Sequence, residues 1–392
     1  GKSLSRDRKR VGFVTGSRAD YGIMRNFLKL LDEDGNILLD IITTGALLSE
    51  KYGRQVGMIY KDGFHVSAEI GLTLDPSSNE KVLFTMSEAL GKFAAYFNDN
   101  PYDLLLILGD RYEMLPAALA AAMQRIPILH IHGGEATYGN YDEFIRHAIT
   151  KMSRYHFTST EVYRERVIQL GENPGNVFNL GALGAENCLQ MDEENVTGEV
   201  KQLEKGQYFV ILFHPETLTG MDVVQQGREI LMALENYPGY KLVFIGVNAD
   251  TDSDLIREMV SGFVASHKNA VYFENLHTDA YHYLLKHGIC LVGNSSSGII
   301  EAPSLGISTV NIGNRQKGRV RGESVMDVGW DAAEIKAAMD KTIKKCGCIG
   351  QGNPYFQENA AKNYYRKTLE LLSRVEEDRK EPKEFYDLKG MV

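Results

Sequence analysis

The sequence predicts an α/β protein built as two doubly wound parallel-sheet units in tandem. Three observations carry this. Short apolar runs rich in β-branched residues recur along the chain, and helical stretches separate them. The alternation pauses once, in a polar and acidic segment around 185–206, and then restarts. A strand buried on both faces reads as a near-continuous apolar run, and a parallel partner demands a long crossover.

In the first unit the runs are RVGFVTG (10–16), ILLDIITTG (37–45), YDLLLILGD (102–110), IPILHIHGG (126–134), YHFTST (155–160) and VFNLGA (177–182). Helices are expected over 20–33, 77–98, 111–125, 141–153 and 161–171. In the second unit the runs are YFVILFH (208–214), KLVFIG (241–246), AVYFE (270–274), CLVGN (290–294) and STVNIG (308–313), again spaced by helices. The expected division is 1–181 and 182–354. A long charged helical stretch within 355–392 can pack back and complete the first unit.

Charge narrows the function. There are 43 basic against 52 acidic residues, a formal charge of −9, so no overall basic footprint for nucleic acid exists. An anionic ligand therefore needs local cations. No apolar run approaches the ~18 residues of a membrane span. The basic start GKSLSRDRKR leads into a strand, not a signal-peptide apolar region. Cys188, Cys290, Cys346 and Cys348 lack the spacing of a disulfide frame or a four-ligand zinc site. A soluble, reduced, cytoplasmic chain is the expectation.

In doubly wound sheets, ligands bind beyond the carboxyl ends of the strands. There LVGNSSSGIIEAPSLG (291–306) places Ser295, Ser296 and Ser297 where one can cap a helix, whose free N–H groups attract anions. Glu301, one turn on, would repel a phosphate but can accept both hydroxyls of a ribose. Together these suggest a nucleoside diphosphate. Neither G-x-G-x-x-G nor G-x-x-x-x-G-K-[ST] occurs. Arg18, in TGSRADYG, can meet a phosphate bidentately, and a loop with Arg315, Lys317, Arg319 and Arg321 can add charge.

LGDRYEML and HIHGGE end two strands in Asp110-Arg111 and Glu135, and the following helix carries Asp142 and Arg146 as an i,i+4 pair. Three carboxylates and two arginines then converge, an arrangement that splits carboxyl pKa values for acid–base chemistry. A structural Asp–Arg network is the competing interpretation. His130 and His132 alternate onto one strand face and with Glu135 resemble a metal set, but the matching strand-end histidine, His214, lies in the other unit. Structural roles are preferred for both, and for His277, His282 and His287, so no metal is expected. Asn248, after FIGV, can meet the base or the sugar.

Together LGDRYE (108–113), HIHGGE (130–135), YDEFIRHAITK (141–151), GALGAEN (181–187), FHPET (213–217), GNSSSGIIEAPSLG (293–306) and NIGNRQKGRVRG (311–322) resemble the hydrolysing UDP-N-acetylglucosamine 2-epimerases. Members of that family make N-acetylmannosamine for sialic acid. The similarity spans 16–360, with the capsule-type bacterial enzymes most alike. It implies a GT-B fold, two Rossmann-like domains with the active site in the cleft, no cofactor, no essential metal and a homo-oligomer (dimer or tetramer). By position it implies that Arg18 and Ala19 border the UDP pyrophosphate, that Ser295, Ser296 and Arg315 share it, and that Glu301 takes the ribose. Asp110, Glu135 and Asp142 would be the acid–base groups, oriented with the sugar by Arg111 and Arg146. His214 would lie at the glycosyl–phosphate bond. One departure stands out. Where the family commonly has T-G-x-H, this chain has TTGALL, with Leu47 in the histidine's place. Either Leu47 is simple packing, or it forms an apolar wall for a less polar sugar such as a 4-acetamido-6-deoxy derivative.

Two enzymatic alternatives are a non-hydrolysing epimerase and a GT-B glycosyltransferase. A silent nucleotide-sugar sensor is a third, but it would have no use for the converging carboxylates.

Overall fold

A computed structural model describes residues 8–138, 141–216, 219–246, 253–344 and 352–391. Two compact units divide the chain: Gly1–Glu135, Tyr141–Leu183 and Gln357–Val392 form one, and Ala136–Asn140 with Gly184–Phe356 the other. The first holds strands β1 (Lys9–Thr15), β2 (Ile37–Thr44), β3 (Val66–Ile70), β4 (Leu104–Leu108), β5 (Ile128–Ile131), β6 (Tyr155–Thr158) and β7 (Val177–Asn179). The second holds β8 (Tyr208–Leu212), β9 (Lys241–Ile245), β10 (Ala270–Phe273), β11 (Cys290–Gly293), β12 (Ser308–Ile312) and β13 (Val325–Val328). Their orders are β3-β2-β1-β4-β5-β6-β7 and β10-β9-β8-β11-β12-β13. Both sheets are parallel, as a chain of apolar strands and crossover helices requires.

Each sheet reverses its winding once, between β1 and β4 and between β8 and β11. At such a point the connections leave the two strands toward opposite sides, which opens a crevice at their carboxyl ends. The strands are placed there by burial: every residue of β4, LLLIL, is buried. The helix Arg18–Asp32 is capped by Ser17, whose side chain accepts from the Asp20 N–H, and it buries Tyr21, Met24, Phe27, Leu28 and Leu31 on one face. The C-terminal helix Ala360–Asp378 belongs to the same unit. Its Tyr364 meets Phe27 edge-on at 5.6 Å and donates to the Gly181 carbonyl.

The structure departs from the expectations in three places. Strands β3 and β13 were not anticipated, because VSAEI and VMDV are edge strands, only partly buried and interrupted by Ser67, Glu69 and Asp327. His132 does not continue the alternation of His130: β5 ends at Ile131, and His132 takes a left-handed φ of 68°. The turn after β11 opens no sizeable helix. Ser297–Ile300 is a four-residue segment without a side-chain cap bond, and it gives way to turns through Gly306. So short a helix has little dipole to offer an anion.

Leu47 sits in a 3-10 turn, Gly45–Leu48, directly after β2. It is fully buried in the apolar core that includes Tyr21, Ile59 and Phe64. Its N–H donates to the Gly16 carbonyl at 3.3 Å, and its carbonyl accepts from Val56 at 3.0 Å. With no exposed surface it presents no wall to a sugar; it packs. Leu47→His should therefore destabilise the protein by roughly 2–4 kcal/mol, by removing core packing and burying an imidazole. Leu47→Met should cost under about 1.5 kcal/mol. Thermal and urea melts of the two variants check this.

Candidate active site

In the first unit the ends of β4 and β5 carry the acids. Beyond β4, Gly109 has φ 78° and donates to the Ile131 carbonyl, turning the chain so that Asp110 and Arg111 follow at the strand end. Beyond β5, Gly134 has φ 79°, and any side chain there would collide with the Tyr163 carbonyl. Glu135 comes next, 5% exposed, with Ser159 Oγ donating to its Oε1 at 3.2 Å. The helix Asp142–Met152 then supplies Arg146, which is fully buried. Its Nη2 donates to Asp110 Oδ2, and its Nη1 to Glu143 Oε2 (2.8 Å) and to the Glu135 carbonyl (3.1 Å).

A further acid of that helix joins the expected group. The ion partners of Arg146 include Asp110 and Glu143, the latter three residues back, while Asp142 stands in the first turn. Side chains on a helix lean toward its N-terminus, so the i−3 position is within reach of a guanidinium that also spans to a strand end. Glu143 also meets His147 Nε2 at 2.8 Å. Sequence reasoning did not single out Glu143.

Arg18 and Ala19 open the helix that follows β1, Ala19 exposed and Arg18 half-buried. Arg111 donates through Nε to Glu113 Oε1. Glu113 is fully buried against Gly16, where a Cβ would lie 2.5 Å from its Oε1, so both glycine and glutamate are fixed by one contact. Asp20 completes this edge. Lack of water pushes its carboxyl up to about 6; Arg111 opposes the shift, while Asp110 and Glu113 add to it. Neither Glu113 nor Asp20 was singled out from the sequence, although both lie inside the quoted LGDRYE and SRADYG stretches.

His130 is not arranged as a metal ligand. Its Nε2 lies 2.8 Å from the Gly109 carbonyl, an acceptor only, so Nε2 carries the proton and Nδ1 accepts from Thr150 Oγ1 at 2.9 Å. Burial pushes its pKa down to about 3, which keeps the ring neutral. Its bond instead braces the peptide leading into Asp110. Among the described residues no cluster of His, Cys, Asp and Glu is placed to hold a metal ion.

In the second unit, three strand ends are tied together. Asn294, fully buried after β11, accepts from the His214 N–H at 2.7 Å and donates to the His214 carbonyl at 2.8 Å. Its own carbonyl receives Arg315 Nη1 and Gln316 Nε2, each at 3.0 Å. Glu216 Oε1 accepts the N–H groups of Asn314 and Arg315 at 2.9 and 3.0 Å. Burial holds the His214 imidazole well below its usual pKa, with Arg315 adding to the effect, so the ring is neutral. Arg321 turns to Asp327 and the Gln316 carbonyl, while Arg315 bonds the backbone of the serine turn at Asn294. Asn248 lies outside the described residues.

Within the serine turn, Gly298 and Ile299 donate their N–H groups to the carbonyls of Ser295 and Ser296. Ser295 Oγ meets Ser297 Oγ at 2.9 Å, and Ser297 Oγ meets the Tyr281 hydroxyl at 2.7 Å. Glu301 Oε2 lies 3.0 Å from His282 Nε2. Glu216, Asn294, Tyr281 and His282 are thus further members of this group; of them FHPET and GNSSSG carried a signal, and the helix residues carried none.

Asp20 gives a pH test. Its folded pKa of about 6 exceeds the ~3.9 of an unfolded aspartate. Its contribution to stability is therefore fully present below about pH 4 and is lost as pH rises through 6. Asp20→Asn should be more stable than wild type at pH 7.5, by roughly 1–3 kcal/mol. The advantage should vanish at pH 4, as urea melts at both pH values would record.

A family model described as UDP-N-acetylglucosamine 2-epimerase matches residues 29–368. The polysialic acid biosynthesis protein P7 of Escherichia coli is 44% identical over 97% of this chain and 98% of its own. The GDP/UDP-N,N'-diacetylbacillosamine 2-epimerase (hydrolyzing) of Campylobacter jejuni is 36% identical over 82% of this chain and 84% of its own. Among solved structures, the UDP-GlcNAc 2-epimerase of Neisseria meningitidis bound to UDP-GlcNAc superposes with a TM-score of 0.69 at 20% identity, covering 92% of this chain and 100% of that one. Two parallel-sheet units and the extent of these matches agree: the chain belongs to the UDP-N-acetylglucosamine 2-epimerase family.

Proposed function

We propose that this enzyme is a hydrolysing 2-epimerase that converts UDP-N-acetylglucosamine and water to N-acetylmannosamine and UDP, a first step toward sialic acid. The observation that carries the reading is the acid pair of the first unit, Asp110 and Glu135, on adjacent strand ends and joined through the buried Arg146. The identity to the polysialic acid biosynthesis protein supports the sialic acid context, and the hydrolysing relative supports release of free sugar.

In this reading a carboxylate of the first unit takes the C2 proton while the C1–oxygen bond breaks and UDP departs, leaving 2-acetamidoglucal. Water then adds its oxygen at C1 and gives up a proton to a carboxylate, while a carboxyl group delivers a proton to C2 from the opposite face. The C2 proton is weakly acidic, so the departing diphosphate needs strong electrostatic support. Arg18 and Arg315 supply that charge, with Ser295 and Ser296 as hydrogen-bond donors. Glu301 takes the ribose hydroxyls. His214, held neutral, serves at the glycosyl–phosphate bond as a hydrogen-bonding group without a charge of its own. Asp142 remains a candidate third acid. Asp110 pairs with Arg146 and Glu135 accepts from Ser159, so two acids with different partners stand on adjacent strand ends, as a base and an acid acting on one substrate would. A second reading, the same chemistry on a UDP-2,4-diacetamido-2,4,6-trideoxyglucose, draws on the 36% identical relative. The buried position of Leu47 weakens the argument that residue had offered for it.

Turnover in heavy-oxygen, deuterated water should give UDP and N-acetylmannosamine carrying deuterium at C2 and heavy oxygen at C1. Heavy oxygen in UDP would mean attack at phosphorus, and UDP-N-acetylmannosamine as the end product would mean a non-hydrolysing enzyme. A kcat/KM at least ~10-fold higher on the 4-acetamido substrate, about 1.4 kcal/mol, would select the second reading.

Chemistry and binding should also separate by residue. Asp110→Asn and Glu135→Gln should each lose kcat by at least ~100-fold with UDP affinity little changed. Ser296→Ala should instead weaken UDP binding by about 1 kcal/mol, the typical net value of one hydrogen bond. Calorimetry with UDP beside steady-state kinetics reads both.

A further inference from the structure

We propose that His282 is a positioning residue for ribose recognition: its Nε2–H fixes the Glu301 carboxylate that accepts the ribose hydroxyls of bound uridine diphosphate. This rests on the reading of Glu301 given above and adds the group that makes it work.

Glu301 follows the four-residue helix Ser297–Ile300 and begins a run of turns, so its backbone offers only a weak scaffold for a long side chain. A glutamate used to discriminate two neighbouring hydroxyls needs a fixed carboxylate plane, because three free torsions would otherwise have to be ordered on binding. The regular helix Thr278–His287 supplies the anchor. It buries Ala280, His282, Tyr283, Leu284 and Leu285, and the His282 side chain is 8% exposed against 19% for Glu301. The inner group of the pair is thus the histidine, and the outer one is the carboxylate.

The 3.0 Å contact runs from His282 Nε2 to Glu301 Oε2. Its acceptor is a carboxylate, so the proton sits on Nε2 whether the ring is neutral or charged. One such bond occupies one of roughly four lone-pair sites on a carboxylate, which leaves capacity for two hydroxyls. On the other oxygen's side stands Gly184, where even an added Cβ would come within 3.4 Å of Oε1. The preceding helix residue, Tyr281, bonds Ser297 in the same turn. Adjacent residues of one helix therefore hold both parts of the segment: Tyr281 the serines and His282 the acid.

The test compares calorimetric affinities of the full-length protein for UDP, 2′-deoxy-UDP and inorganic pyrophosphate. Wild type should prefer UDP over 2′-deoxy-UDP by ~10-fold or more, the loss expected for an unpaired buried acceptor. Glu301→Ala should cut that preference below ~3-fold, a loss of most of that discrimination. His282→Phe should do the same, leaving pyrophosphate affinity unchanged. His282→Gln, which keeps an N–H donor, should restore most of the preference. If His282→Phe does not melt as a folded protein, His282→Leu takes its place. Full discrimination retained by His282→Phe while Glu301→Ala loses it would overturn the inference and spare the ribose reading. Discrimination retained by Glu301→Ala would overturn the ribose reading and the inference with it.

Discussion

Arg146 has no access to water, and a guanidinium that never gives up its proton must be answered by acceptors within reach. Asp110, Glu143 and the carbonyl of Glu135 provide the answer, and they come from three separate places along the chain. Their ordering follows from that single demand. The end of β4, the turn after β5 and the first turn of helix Asp142–Met152 are held in one arrangement because parting them would strand a buried cation. Such a loss is among the most damaging a core can suffer, of order 3–5 kcal/mol.

A network of this kind serves structure and chemistry together. Arg146 fixes Asp110, while the nearly buried Glu135 accepts from the Ser159 hydroxyl through its carboxylate. Behind them His130 braces the Gly109 carbonyl through a neutral ring. The histidines of HIHGGE thus part company: His130 supports the turn from within the sheet, and His132 leaves the strand altogether. Pattern alone put them on one face; the left-handed φ at His132 separates them.

The second unit solves the same problem with neutral side chains and one buried acid. Asn294 and Glu216 pair with backbone groups from neighbouring strand ends, so the loops that carry His214 and Arg315 are fastened by main-chain hydrogen bonds. In the first unit, by contrast, burial moves an acid, Asp20, up to about 6.

The sequence by itself determined the doubly wound units, because strands buried on both faces must be apolar throughout and parallel pairing must be bridged by helices. It also determined which positions carry polar residues at strand ends, since a ligand-binding turn interrupts an apolar run abruptly, as at Gly293-Asn294 and Gly109-Asp110. Edge strands β3 and β13 escaped notice because an edge is only partly buried and loses the continuous apolar signal. Only the tertiary structure decided who pairs with whom. Asp142 and Glu143 lie four and three residues before Arg146, and it is the packed structure that shows Glu143 bonded to the guanidinium that also reaches Asp110. The sequence favours Leu47 as a packing residue over a sugar wall, and its complete burial places it in the core. His282 looked like an ordinary helix histidine, and its partner stands nineteen residues away on another element. Partnership across such separations depends on where distant backbone segments are packed, and no local pattern of residues encodes that distance.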